Sequence, residues 1–457
     1  MAQFTTEEVL KATGAVCAHG EDTVFTDVTT DTRKITKGAL FVALRGERFN
    51  GEDFAAEAAK KGAAGVVVSN ACKKEIIDSV PAAVFCVPDT LEAYQKLACA
   101  WRMRFDIPVV AITGSNGKTT TKDLTASVIG AAFPVLKTAA NFNNEIGLPM
   151  TLLNLTEKHR AAVVEIGMRG LGQIAAMAPL AAPTIGVVVN VGETHMELLG
   201  SMENIAKAKG EMVEAIKPGG TVVLNADNPY TAAMSGKAAK GVRVITFGIE
   251  KDADVRAVDI KTDGLSQSFT AVFEGKKTAP IRLPMAGRHN VLNALAALSV
   301  GYALNIAPEK MADGLAKPDM TKQRFECEKR GEYTVINDAY NASPASMEAA
   351  FATLTEVAPG RKIAVLGDML ELGDIAVEAH RKVGRLAAEA GICALVTRGD
   401  MGEEIAAGAE GAGLEDVYRC GTHEEAAAVL KKILKPGDTI LFKGSHGMHM
   451  DEIIDLL

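Results

Sequence analysis

No two cysteines in this 457-residue chain stand in a C-x-x-C pair. The seven present (Cys17, Cys72, Cys86, Cys99, Cys327, Cys393 and Cys420) are odd in number and dispersed. A disulfide framework and a structural zinc site both need paired cysteines, so neither is expected. The thiols read as free, buried side chains in a reducing cytoplasm. Excess positive charge is also missing, because 49 Lys and Arg face 57 Asp and Glu, for a net charge of −8. A general binder of nucleic acid or of membrane surfaces needs the opposite balance to meet phosphates. A local positive pocket for an anionic substrate stays compatible with an acidic chain. No apolar run reaches the ~18 residues that would cross a bilayer. The opening MAQFTTEEVL lacks the basic n-region and apolar core of a signal peptide. A cytoplasmic protein without membrane insertion is therefore expected.

The composition is 48% hydrophobic and 23% charged, which is ample for sizeable cores. At about 150 residues per domain the length suggests three domains. Residues 1–106 read as mixed α/β, with short strands in GALFVAL (38–44) and GVVVS (65–69) and a helical stretch between them. From Val109 the rhythm changes. PVVAITG, AAVVEIG (161–167), TIGVVVN (184–190) and TVVLNAD (221–227) are apolar runs that end at polar residues and alternate with helical stretches. This alternation predicts a parallel sheet covered on both faces. Ligands of such sheets bind beyond the carboxyl ends of the strands, which would gather Ser115, Glu165, Asn190 and Asn225. Residues 252–284 read as β-hairpins and 287–304 as a helix. From Pro318, YTVINDAY, RKIAVLGD, ICALVTRGD and DTILFKGS predict a second doubly wound unit.

The strongest local signal is Thr113-Gly114-Ser115-Asn116-Gly117-Lys118-Thr119-Thr120, placed between a strand and a helix. Glycines let backbone amides turn towards an anion, and the helix N-terminus adds partial positive charge. Lys118 can reach β- and γ-phosphates, and the Thr119 hydroxyl can hold Mg²⁺. Ile stands at position 112 and the first glycine is Gly114, so this is a short variant of the usual phosphate loop. A kinase, a motor ATPase and a ligase are all compatible with it.

Glu165 closes the next apolar strand, where a metal ligand would be needed. His195 follows the strand TIGVVVN, and Lys209 stands fourteen residues further on, in the helical stretch SMENIAKAKGEMVEAI. Taken alone, Glu165 reads as solvated, His195 as a loop residue and Lys209 as a surface lysine on a charged helix face.

Together these motifs resemble the Mur ligases. The resemblance rests on TGSNGKTT, on Asn141-Phe142-Asn143-Asn144 with IGLP, on VVEIG and on the His195–Lys209 spacing. It extends to VTTDTRKITKGALFVALRGERFNGEDF (28–54) and GRHNVLNALAA (287–297), and so covers essentially the whole chain. It implies an α/β fold of three domains. Residues 1–106 would be a small α/β domain binding the uridine-nucleotide substrate. Residues 107–317 would be a central P-loop-type domain on a doubly wound, mostly parallel sheet. Residues 318–457 would be a Rossmann-like domain closing on the nucleotide and the incoming dipeptide. Asn337-Asp338-Ala339-Tyr340-Asn341-Ala342-Ser343-Pro344 and GDMLELG (367–373) point to the member that adds D-alanyl-D-alanine to UDP-N-acetylmuramoyl-tripeptide. Another Mur-type ligase adding a single amino acid, or a folylpolyglutamate synthase-like ligase, is the alternative. Two departures from the family stand out. Lys322-Gln323-Arg324 replaces a usual Pro-Gly-Arg, and Gly444-Ser445-His446 replaces Gly-Ser-Arg, which removes a fixed cation.

The resemblance implies phosphorylation of the tripeptide carboxylate by ATP, attack of the dipeptide amine on the acyl phosphate, and release of ADP and phosphate. Gly114 to Thr120 would cradle the phosphates. Asn290, Asn293, Arg324 and Asp338 would complete the ATP site. Thr119, Glu165, His195 and Lys209 would hold two Mg²⁺, with Lys209 carbamylated. The catalytic set would be Lys118, Glu165, His195 and Lys209. Thr30, Asp31, Thr32, Arg33, Gly46 and Asn50, within the 46–53 loop, would meet the uridine end. Asn141, Asn143, Asn144, Tyr340 and Asn341 would complete the substrate contacts of a monomer.

Overall fold

The computed structural model describes residues 2–46, 49–321 and 323–457, with the side chains of residues 277–279 also outside the description. Lys322, and Glu47 and Arg48 of the 46–53 loop, therefore lie outside the described residues. The chain divides into two compact units.

The first unit comprises Met1–Ala111, Phe133–Gly167 and Ala175–Thr184. Its five-stranded sheet runs Val16–His19, Ala83–Val87, Gly65–Ser69, Ala39–Val42, Asp27–Thr29. The last four strands are parallel and the first is antiparallel. Ala39–Val42 is buried at every position and Gly65–Ser69 at all but its last, as expected of strands covered on both faces. Phe41, Val66 and Val68 pack against Ala55 and Ala58 of the covering helix Ala55–Lys60. Asp89 starts the helix Thr90–Arg102 by accepting from the Leu91 and Glu92 amides. At its other end Arg102, only 5% exposed, donates to the carbonyls of Ala181, Phe105 and Ile107. Val135–Lys137 and Ala161–Glu165 pair in parallel, and the second of them ends at Glu165.

The second unit comprises Ile112–Ala132, Met168–Ile174 and Ile185–Leu457. Ile185–Val188, Thr221–Asn225, Arg243–Gly248 and Val255–Asp263 pair side by side in parallel. The antiparallel strands Ser266–Phe273 and Lys276–Leu283 follow, as the sequence predicts for 252–284. Helices Lys118–Gly130 and Arg288–Ala303 pack on each other, and a Cβ at Gly301 would meet Val128. A second sheet runs Glu326–Arg330, Tyr333–Asn337, Thr439–Lys443, Lys362–Gly367, Ala394–Arg398, Val417–Cys420. All its pairs are parallel except the first. One face packs on Met347, Phe351 and Val383, the other on Leu430, Met450 and Ile453. This is the doubly wound arrangement that the alternating runs predict.

The seven cysteines are free, but not all are buried as expected: Cys17 and Cys393 are exposed. Cys17 lies on the edge strand Val16–His19, which is exposed throughout, so an apolar-looking residue there faces solvent. No described helix is long and apolar enough to cross a membrane.

Candidate active site

The strand Val109–Thr113 runs into the glycine loop, and the helix Lys118–Gly130 begins directly after Gly117. Gly117 has φ +77, and a Cβ there would stand 2.5 Å from the Asn293 side chain, so both backbone and space demand glycine. Asn190 clamps the loop from the neighbouring strand end. Its Oδ1 accepts from the Asn116 amide at 2.9 Å, its Nδ2 donates to the Asn116 carbonyl, and its own carbonyl accepts from the Ser115 amide. Ser115 is further tied to Gly192 through its hydroxyl. Lys118 Nζ donates to the carbonyls of Gly114 and Ser115.

A cavity of about 310 Å³ lies over this loop. Its walls include Ser115 to Thr120, Asn190, Asn225, His289, Asn290, Asn293, Arg324, Asp338, Asn341 and Lys443. The structure thus brings together most of the expected nucleotide residues. Asn290 and Asn293 are each 4% exposed and partly used within the protein. Asn293 accepts from Thr121 and donates to Asn290, and Asn290 donates to the Ala286 carbonyl. Arg324 donates to Thr119 Oγ1 at 3.1 Å and lies 3.7 Å over the Tyr340 ring. Its buried Nε has no partner among the described residues. Both oxygens of Asp338 are engaged, one by the Phe325 amide and one by Lys443 at 2.5 Å. His446, at the departure from the family pattern, is exposed and stacks on Tyr340 with ring centroids 5.5 Å apart.

Lys209 overturns its isolated reading as a surface lysine, because it is 1% exposed. The helix Met202–Glu214 turns its Ile205, Ala208, Met212 face inward and carries Lys209 with it. Burial, and then the like charge of Lys118, pushes its pKa well below the ordinary lysine value. Both causes act against the charged form of the amine. His195 has φ +55, and its Nδ1 is 2.6 Å from Glu371 Oε2. Burial lowers the His195 pKa, Glu371 opposes, and the charges of Lys209 and Lys118 push in the same direction as burial.

In the first unit Glu165 is 1% exposed. Its Oε1 accepts from Asn143 Nδ2 at 2.7 Å, whereas its Oε2 is buried with no partner among the described residues. Such an orphaned carboxylate oxygen fits a cation. Asn144 serves the fold, accepting from the Ile146 and Gly147 amides, and Asn141 is exposed. Thr30 to Arg33 follow one strand, and Gly46 and Asn50 follow its parallel neighbour. Both candidate segments therefore sit at carboxyl ends of one sheet. Asp31 is bonded twice to the Arg33 side chain and once to its amide, and these contacts bring its pKa down to about 2. Asn50 donates to the buried Glu52.

Lys443 and His289 were not among the expected site residues, and Glu371 was expected only as part of GDMLELG (367–373), without a role of its own. Lys443 closes the strand Thr439–Lys443, the same strand-end signal that singled out Glu165. Glu371 stands in the GDMLELG motif, but its contact with a histidine 176 residues away leaves no local trace. Among the described residues no three His, Cys, Asp or Glu gather as a metal cluster.

Three family models match the chain. The Mur ligase family catalytic domain matches residues 24–102, the Mur ligase middle domain 112–301, and the Mur ligase glutamate ligase domain 323–446. The UDP-N-acetylmuramoyl-tripeptide–D-alanyl-D-alanine ligase of Bacillus subtilis is 39% identical, over 95% of this chain and 93% of that protein. The crystal structure of MurF from Acinetobacter baumannii superposes with a TM-score of 0.91 at 30% identity, covering 99% of this chain and 98% of that one. MurF from Thermotoga maritima, solved in complex with ADP, gives 0.82 at 26% identity, covering 94% and 96%.

Proposed function

The chain belongs to the Mur ligase family, and from the pocket over its phosphate loop we infer that it is the ATP-dependent ligase joining D-alanyl-D-alanine to UDP-N-acetylmuramoyl-tripeptide. The reaction extends a peptidoglycan precursor. The observation that carries this reading is the meeting of Lys118, Thr119, Arg324, Asp338 and Lys443 around one cavity of nucleotide size. The names of its relatives supply the substrates.

An amide cannot form from a free carboxylate and an amine in water without activation. The loop amides and Lys118 hold the β- and γ-phosphates, and Arg324 adds a second fixed cation beside Thr119. Positioning and charge stabilisation of this kind supply most of phosphoryl-transfer catalysis. A tripeptide carboxylate oxygen attacks the γ-phosphorus, and the bond to ADP breaks. The dipeptide amine then adds to the acyl carbon, loses a proton, and expels phosphate carrying that same oxygen.

Thr119, Glu165, His195 and Lys209 would hold Mg²⁺, in two sites. The orphaned Glu165 Oε2 and the neutral-leaning Lys209 fit this role. A neutral amine adds carbon dioxide and releases a proton to solvent, giving a carbamate, an anionic oxygen donor where an ammonium would repel a cation. When bound, Mg²⁺ supplies neutralisation of the crowded phosphate charge.

The domains are 1–106 for the uridine nucleotide, 107–317 for ATP and 318–457 for closure on nucleotide and dipeptide. Thr30 to Arg33, Gly46 and Asn50 meet the uridine end; Asn141, Asn143, Asn144, Tyr340 and Asn341 meet the remainder of the substrates. The enzyme works as a cytoplasmic monomer. The test is isotopic. With ¹⁸O in the terminal tripeptide carboxylate, one ¹⁸O should appear in the released phosphate. Phosphate without label would rule out the acyl-phosphate route.

A further inference from the structure

The loop Asp368–Gly373 is held from several sides. The Asp368 carbonyl accepts from the Ser445 amide, and the Leu370 amide donates to Ser445 Oγ. The Met369 amide donates to Nε2 of the buried His380, whose Nδ1 lies 2.6 Å from the Ala376 carbonyl. A carbonyl only accepts, so Nδ1 carries the His380 proton and Nε2 is free to receive the amide. Gly373 has φ +55, and a Cβ there would stand 2.9 Å from Glu197 Cα, so the loop backbone presses on the segment that begins at His195.

Glu371 is presented from this rigid loop with φ +63, and His195 meets it with φ +55. Two non-glycine residues in the left-handed region persist only where their surroundings over-determine them. Arg169 holds Glu371 Oε1 at 2.9 Å, leaving Oε2 directed at His195 Nδ1, 2.6 Å away. A carboxylate only accepts, so the proton of this contact sits on Nδ1, and the Nε2 lone pair is left unblocked.

We propose that Glu371 is a positioning residue that fixes His195 as its Nδ1–H tautomer and turns the Nε2 lone pair to a divalent cation. The proposal rests on the metal-binding reading of His195 given above. Glu371 adds that the group setting this ligand comes from the 318–457 segment, so the loop and the histidine form one assembly. Carboxylate partners of this kind orient metal-binding histidines and raise their basicity.

The test uses the full chain labelled with ¹⁵N-histidine, with the His195 ring signals assigned through His195→Gln. Long-range ¹H–¹⁵N correlation should show a protonated Nδ1 and an unprotonated Nε2. Glu371→Ala should lose this preference, and Glu371→Gln, which keeps an acceptor oxygen, should largely retain it. Manganese(II) chloride should broaden the His195 ring signals, with an affinity about 10-fold or more weaker in Glu371→Ala. A wild-type ring protonated at Nε2 or at both nitrogens, or a tautomer unchanged in Glu371→Ala, would overturn the proposal. If the tautomer responds to Glu371 but manganese leaves His195 untouched, the assignment of Glu371 stands and the metal-binding reading of His195 falls.

Discussion

The Arg324 guanidinium donates to the Thr119 hydroxyl across 3.1 Å, while its face lies against Tyr340. One side chain thus ties the segment after residue 323 to the first turn of the phosphate-loop helix. Lysine keeps the charge but lacks the planar fork needed to bond and stack at once. Arg324→Lys should lower kcat/KM for ATP by about 10- to 100-fold, the worth of a charged hydrogen bond. Tyr340→Ala should weaken the same step by about 0.5–2 kcal/mol. Steady-state kinetics at saturating co-substrates measure both.

Gly117 is fixed by backbone and by space together. Alanine at φ +77 is strained by about 1 kcal/mol or more and meets Asn293. Gly117→Ala should abolish detectable ATP binding in calorimetry. Adding Asn293→Ala should restore only a part, because the clash is relieved and the backbone strain is not. Full recovery would show that the steric contact alone matters.

Lys443 and Asp338 form an ion pair at 2.5 Å, with Lys443 2% exposed. Asp338→Asn leaves that ammonium buried without its counter-charge and should cost about 3–5 kcal/mol. Denaturant unfolding without nucleotide should show this. Combining it with Lys443→Met should recover most of the loss, since replacing both members of a buried pair is far less harmful than breaking it.

Lys209 carries a pH signature. Its folded pKa lies below its unfolded value, so between the two the unfolded chain binds the extra proton. Stability therefore rises with pH through that window, reaches its full value above about pH 10.4, and falls as pH drops towards the folded value. In carbon dioxide-free buffer, Lys209→Met should flatten this slope. In activity assays the wild type should lose turnover on removal of carbon dioxide and regain it with bicarbonate. Activity indifferent to carbon dioxide would exclude the carbamate.

Much of this was legible in the sequence because strand ends are local. TGSNGKTT and VVEIG announce themselves by an apolar run that stops at a polar or glycine residue, and the sheets follow from the alternation. Burial of Lys209 was not legible. The helix SMENIAKAKGEMVEAI has charges on several faces, and only packing decides which face turns inward. The motif GDMLELG carries Glu371 in plain view, but its contact was equally hidden, since it is made with a histidine far along the chain. Asp338 was found, but its partner Lys443 was not, because a lysine at a strand end reads as solvated until its depth is known.

The most direct test of the central claim is phosphate release from ATP and Mg²⁺ with UDP-N-acetylmuramoyl-tripeptide, with and without D-alanyl-D-alanine. Sustained release should require both, match formation of the pentapeptide product one for one, and vanish in Lys118→Ala. Release that ignores the dipeptide, or that proceeds without the pentapeptide product, would contradict it.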